Sequence, residues 1–128
     1  MRILIAEDDP TLLRMFQITF EKEGWDVKTA NNGEEAMEIL GKDKVDFLML
    51  DLLMPKKDGF QVLKEVRGNP NLQDLPVLVL SGLGSDEDIK KALGLGASDY
   101  FVKDQHPTGE AVERAKELIE KLDTKIRK

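Results

Sequence analysis

The chain has 128 residues, a formal net charge of −6, 41% hydrophobic and 34% charged residues, and no cysteine. A soluble globular domain over 1–128 with a sizeable core is expected. The lack of cysteine excludes disulfides, zinc–thiolate centres and thiol catalysis, and the acidic balance argues against direct nucleic-acid binding by the domain as a whole.

The opening apolar run, Ile3 to Ala6, is too short for a signal peptide or a membrane span, and no later run is long enough either. A cytoplasmic protein that does not enter the membrane is therefore expected. Arg2 to Ala6 reads as a short buried strand, ended by Glu7, Asp8, Asp9 and Pro10. Pro10 suits the first turn of a helix, and an acid just before it suits the cap. That helix carries Leu12, Leu13, Phe16, Ile18 and Phe20 and stops near Gly24. Asp26 to Ala30 is a second strand, with Trp25 packing at its start. Asn31, Asn32 and Gly33 turn the chain into a helix over Glu34 to Leu40, closed by Gly41.

Val45 to Leu50 is short and almost wholly apolar, as a strand buried on both faces should be. Asp51 then stands where the chain leaves the sheet. Pro55 cannot continue a ladder, so the backbone turns away past Asp58 and Gly59 into a helix marked by Phe60, Val62, Leu63 and Val66. Pro76 opens a fourth strand, Val77 to Leu80, which ends at Ser81 and Gly82. Ser85 with Asp88 is a weak capping box for a helix carrying Ile89, Ala92 and Leu93. Tyr100 to Val102 is a fifth strand ending at Lys103. Thr108 caps the last helix, whose apolar positions Ala111, Val112, Ala115, Leu118, Ile119, Leu122 and Ile126 recur mostly at spacings of three and four.

Five strand–helix units alternate, without a repeat or a linker. That pattern predicts an α/β fold, a doubly wound five-stranded parallel sheet in the order 2-1-3-4-5 with helices on both faces. In this order the first and third strands are neighbours, and ligands bind at the crevice between their carboxyl ends. Asp8 and Asp9 are thus expected to face Asp51, with Ser81 and Lys103 on the same rim. Three carboxylates this close repel one another; at about 4 Å and an effective dielectric near 20, each pair costs on the order of 4 kcal/mol. Either one is protonated or a cation is present. Magnesium fits, being a hard ion that takes a few carboxylates, keeps several waters and completes its shell with phosphate oxygen. A nucleophilic carboxylate, a divalent cation, a lysine and a hydroxyl are the parts that hold a transferring phosphoryl group.

Asp8 and Asp9, Asp51 with Met54, Pro55 and Gly59, Ser81 with Gly82, and Gly96, Ala97 and Tyr100 before Lys103 together carry a resemblance. Over essentially its whole length the chain resembles a flavodoxin-like response-regulator receiver domain of two-component signalling, of the chemotaxis-regulator kind. The resemblance implies that Asp51 accepts a phosphoryl group from a sensor histidine kinase, a phosphotransfer protein or a small phosphodonor. It implies Mg2+ bound by Asp9, Asp51 and the backbone carbonyl of Leu53, with Asp8 acting mainly through water. Ser81 and Lys103 would hold the phosphoryl oxygens, and Tyr100 would rotate inward when Ser81 moves. The output would be a changed surface on the fourth helix, fifth strand and last helix for a downstream protein. The molecule would be a monomer or a phosphorylation-dependent dimer, either stand-alone or cut from a longer chain.

Two departures from the family pattern are present. Asp104 follows Lys103 where proline is usual, and Ser81 stands where threonine is frequent. Three other readings compete. A haloacid-dehalogenase-type phosphatase needs a second acid two residues after the nucleophile, where this chain has Leu53. A flavin carrier needs a hydroxyl- or glycine-rich phosphate loop, where Glu7, Asp8 and Asp9 would repel phosphate. A degenerate receiver would act as a phosphorylation-independent binding module. His106 reads as a loop histidine without metal partners, and Lys56 and Lys57 as solvated.

Overall fold

The computed structural model describes residues 1–103 and 108–126; Asp104 and His106 lie outside them, as do the side chains of Thr108, Leu122 and Ile126. The elements alternate as β1 (Arg2–Ala6), α1 (Pro10–Lys22), β2 (Asp26–Ala30), α2 (Gly33–Lys42), β3 (Phe47–Leu50), α3 (Gly59–Gly68), β4 (Val77–Ser81), α4 (Asp86–Gly94), β5 (Asp99–Val102) and α5 (Thr108–Ile126). The strands are parallel and ordered β2-β1-β3-β4-β5. Each apolar strand has its side chains divided between two cores, because successive residues point to opposite faces. Leu4, Ala6, Leu48, Leu50, Val77 and Val79 meet α2, α3 and α4. Ile3, Ile5, Phe47, Met49, Leu78 and Leu80 meet α1 and α5.

The helix caps follow local chemistry. Asp9 Oδ1 accepts from the Thr11 and Leu12 N–H groups, with Pro10 in the first turn of α1. Asn32, Asp58 and Ser85 cap α2, α3 and α4 in the same manner, and the Ser85 hydroxyl also donates to Asp88. Trp25 stacks on Phe20 with centroids 5.1 Å apart.

Several expectations shift in detail. β3 begins at Phe47 rather than Val45, because Asp46 turns its N–H to the Arg2 carbonyl and its carboxylate to the Arg2 N–H. β4 extends through Ser81, which pairs with Val102. Ile18 and Leu93 face solvent, outside their helices' apolar stripes. Lys57 is not freely solvated; its ammonium pairs with Glu65 at 2.6 Å.

Candidate functional site

The register places the site. Ala6 pairs with Leu50, so β1 and β3 end level, and the next residues step onto one rim. Glu7 donates its N–H to the Ala30 carbonyl and Asp51 donates its N–H to the Ala6 carbonyl. These bonds hold both backbones beside the sheet while their side chains turn over its carboxyl edge. Asp51 is 4% exposed. Its Oδ1 accepts from the Leu53 N–H at 3.2 Å, and its Oδ2 accepts from Lys103 Nζ at 3.2 Å. Gly59 lets α3 start directly against this turn, since a Cβ there would lie 2.4 Å from the Asp51 carbonyl oxygen.

Among the described residues, the acids that converge are Glu7, Asp8 and Asp51, with one carboxylate oxygen from each within 4.8 Å of the others. This differs from the expected trio of Asp8, Asp9 and Asp51. Asp9 is an exposed N-cap whose carboxylate is committed to the first turn of α1. Glu7 takes the third place, 2% exposed, with its Oε2 accepting from the Asp9 N–H. The sequence did contain the signal: if the acid before Pro10 is the cap, the two acids preceding it are left for the rim.

The charges in this pocket compete. Lys103 Nζ lies 2.5 Å from Glu7 Oε1, an ion pair, although Oε1 receives no well-directed hydrogen bond. Burial pushes the Glu7 carboxyl up to about 7; the Asp51 charge pushes the same way, and Lys103 and the Asp9 N–H oppose them. Burial alone would lower the Lys103 ammonium, but its contacts with Glu7 and Asp51 raise it overall. Three acids against one lysine leave an excess of negative charge. The donor set, carboxylate oxygens around a partly buried point, therefore suits a hard divalent cation.

The remaining predicted residues lie on β4 and β5. Ser81 is fully buried at the end of β4, and its Oγ accepts from the Leu83 N–H at 3.3 Å. Tyr100 points inward, 9% exposed, and its hydroxyl donates to the Leu83 carbonyl at 2.5 Å. Burial raises the Tyr100 hydroxyl above its ordinary value. The Leu83 backbone thus joins the side chains of Ser81 and Tyr100, a link not legible in residue type because Leu83 contributes only main-chain atoms to it.

Comparison with known proteins gives a single answer. The sequence pattern of the response regulator receiver domain matches residues 3–122. The DNA-binding dual master transcriptional regulator RpaA of Synechocystis sp. is 35% identical over 122 residues, covering 95% of this chain and 50% of the regulator. The chain spans about half the length of the curated relatives it matches. The receiver domain of Francisella response regulator 1452 superposes with a TM-score of 0.84 at 30% identity, covering 94% of this chain and 98% of that one. The Mn2+-bound form of response regulator Rcp1 gives 0.76 at 28% identity, covering 82% of each chain. With the strand order 2-1-3-4-5 and the acid–lysine rim already in place, the match along the sequence assigns this chain to the response regulator receiver domain family.

Proposed function

We propose that this domain is a phosphorylation-dependent switch in which Asp51 accepts a phosphoryl group from a histidine kinase or a small phosphodonor. The observation that carries the reading is the buried Asp51 carboxylate, bonded to Lys103 and crowded by Glu7 and Asp8. In transfer from phosphohistidine, the P–N bond breaks as an Asp51 Oδ–P bond forms, and the departing imidazole keeps the bonding pair. Positioning and charge neutralisation supply most of the catalysis for such a step. Lys103, held between Glu7 and Asp51, is close enough to follow the charge from the carboxylate to the phosphoryl oxygens. Ser81 supplies a hydroxyl on the same rim. The Leu53 N–H fixes the rotamer of Asp51.

Mg2+ held by Asp8, Asp51 and the Leu53 carbonyl would neutralise the negative charge that Lys103 alone cannot. Asp9 is left out of this set because it caps α1. That the structurally similar response regulator Rcp1 has an Mn2+-bound form is in keeping with a divalent cation here. The partner upstream is a histidine kinase or phosphotransfer protein, in keeping with the family. The partner downstream reads the surface of α4, β5 and α5, to which Ser81 and Tyr100 lead. The domain works in the cytoplasm, and no described helix is long and apolar enough to cross a membrane.

Acetyl phosphate with Mg2+ is expected to add one base-labile phosphoryl group, read by mass. Undiminished labelling of Asp51→Asn would overturn the assignment. A wild type that takes no label would instead favour a phosphorylation-independent binding module.

A further inference from the structure

Gly33 opens α2 and is buried. A Cβ there would lie 2.0 Å from the Lys57 carbonyl oxygen and 2.7 Å from its carbonyl carbon. Those are backbone atoms, so no side-chain rotation relieves the clash. Lys57 belongs to the loop that carries the chain from Asp51 to α3. Its N–H donates to the Pro55 carbonyl at 2.8 Å, closing a three-residue turn around Lys56. Lys56 is held at φ 67°, the only non-glycine residue among those described with positive φ. A γ-turn with positive φ at its centre is the rare, strained form, and such strain persists only where the surroundings over-determine it.

The other end of the loop is pinned as well. The Gly59 N–H donates to the Leu52 carbonyl at 3.0 Å, and Gly59 packs bare against the Asp51 carbonyl. The same loop carries Leu53, whose N–H meets Asp51 Oδ1. Moving Lys57 outward would therefore pull on a short, strained segment whose near end touches the reacting carboxylate.

We propose that Gly33 is a positioning residue for the phosphoacceptor site: its bare Cα seats the Lys57 carbonyl, which holds the strained turn at Lys56 and, through it, the backbone of Leu53 against Asp51. The inference rests on the reading of Asp51 as phosphoacceptor with a metal at the rim. A residue that only packed α2 against the loop would change stability and nothing else.

The test compares wild type with Gly33→Ala, Lys56→Gly and Gly41→Ala. Magnesium affinity is read by calorimetry, labelling rate with acetyl phosphate by mass, and folding by circular dichroism. Gly41 lies in the same helix with open space where a Cβ would sit, so its variant is the control. Gly33→Ala is expected to raise the magnesium Kd about tenfold, as loss of outer support to a metal ligand does, and to slow labelling at sub-saturating metal. Gly41→Ala keeps both values. Glycine at Lys56 relieves the strain, so Lys56→Gly is expected to raise Tm while weakening magnesium binding, an opposition that a packing role cannot produce. A folded Gly33→Ala with wild-type magnesium Kd overturns the proposal. If that variant does not fold, Lys56→Gly with raised Tm and unchanged Kd overturns it. A wild type that neither binds magnesium nor takes label strikes the phosphoacceptor reading itself and takes this inference with it.

Discussion

Asp8 and Asp9 are neighbours of identical type with different work. Asp8 lies with Glu7 and Asp51, whereas Asp9 accepts two N–H groups of α1. Asp8→Asn is therefore expected to abolish magnesium binding measurable by calorimetry. Asp9→Asn keeps an N-cap of similar strength and should leave both stability and magnesium affinity near those of the wild type. Asp9→Ala should cost about 1 kcal/mol of stability while still binding magnesium. Loss of binding in Asp9→Asn would return Asp9 to the ligand set. Leu53 offers a second residue-scale prediction. It is 54% exposed beside a carboxylate that is 4% exposed, so its apolar side chain stands at the mouth of the site. It can neither orient nor accept a proton from an attacking water, and it should slow hydrolysis of the aspartyl phosphate more than transfer onto Asp51. After removal of the donor, Leu53→Asn is expected to lose its phosphoryl group faster than wild type; equal or slower decay rejects the idea. Leu83, by contrast, is half-buried against the core formed with α4 and bears less on this step through its side chain.

At the scale of elements, the β4–α4 connection is where a local charge event can reach a surface. Ser81 holds the Leu83 N–H and Tyr100 holds the Leu83 carbonyl. In the proposed switch the Ser81 hydroxyl would donate to a phosphoryl oxygen; a shift of its Oγ toward that group would stretch the 3.3 Å bond it accepts from the Leu83 N–H and weaken one of the two anchors of the loop ahead of α4. A local event of this kind shifts a population between two arrangements when it binds them unequally. Beryllofluoride with magnesium is expected to move the amide resonances from Ile89 to Val102. Unchanged spectra there would reject this route. Tyr100→Phe removes the other anchor and should cost about 1 kcal/mol, read as a lower Tm. Arg67 fixes the far end of the same unit. Its half-buried guanidinium donates to the Gly96, Leu75 and Gln73 carbonyls, so the chain just after α4 is tied to the end of α3 and to the loop that follows it.

For the molecule as a whole, the excess of negative charge at the rim is expected to oppose folding, and a bound cation would relieve it. Anything that binds the folded state alone stabilises it by mass action. Magnesium is therefore expected to raise Tm, each kcal/mol of binding being worth about 4 °C for a chain of this size. Asp51→Asn removes one of the crowded charges and keeps an oxygen for the Leu53 N–H. It should melt higher than wild type in a chelator and gain less from added magnesium. A variant that melts lower in the chelator would mean that the Lys103–Asp51 pair outweighs the repulsion among the acids.

The topology could be read from the residues in order. Short apolar strands, Gly and Pro punctuation and alternating helices leave few ways to bury every strand, and 2-1-3-4-5 was among them from the start. Asp51, Ser81 and Lys103 could be placed for the same reason, since each follows or ends a strand at the carboxyl edge of the sheet, whereas Tyr100 lies inside β5. Tertiary structure settled which of the consecutive acids Glu7, Asp8 and Asp9 turn to the rim, a choice at which the cap position before Pro10 only hinted. That choice depends on where β1 stops and α1 takes its cap, a matter of one residue in register that composition does not encode. It also decided the contacts made by main-chain atoms, namely the Leu83 backbone between Ser81 and Tyr100 and the Lys57 carbonyl on Gly33. Every residue type carries those atoms, so only the packing of distant segments can tell one use of them from another.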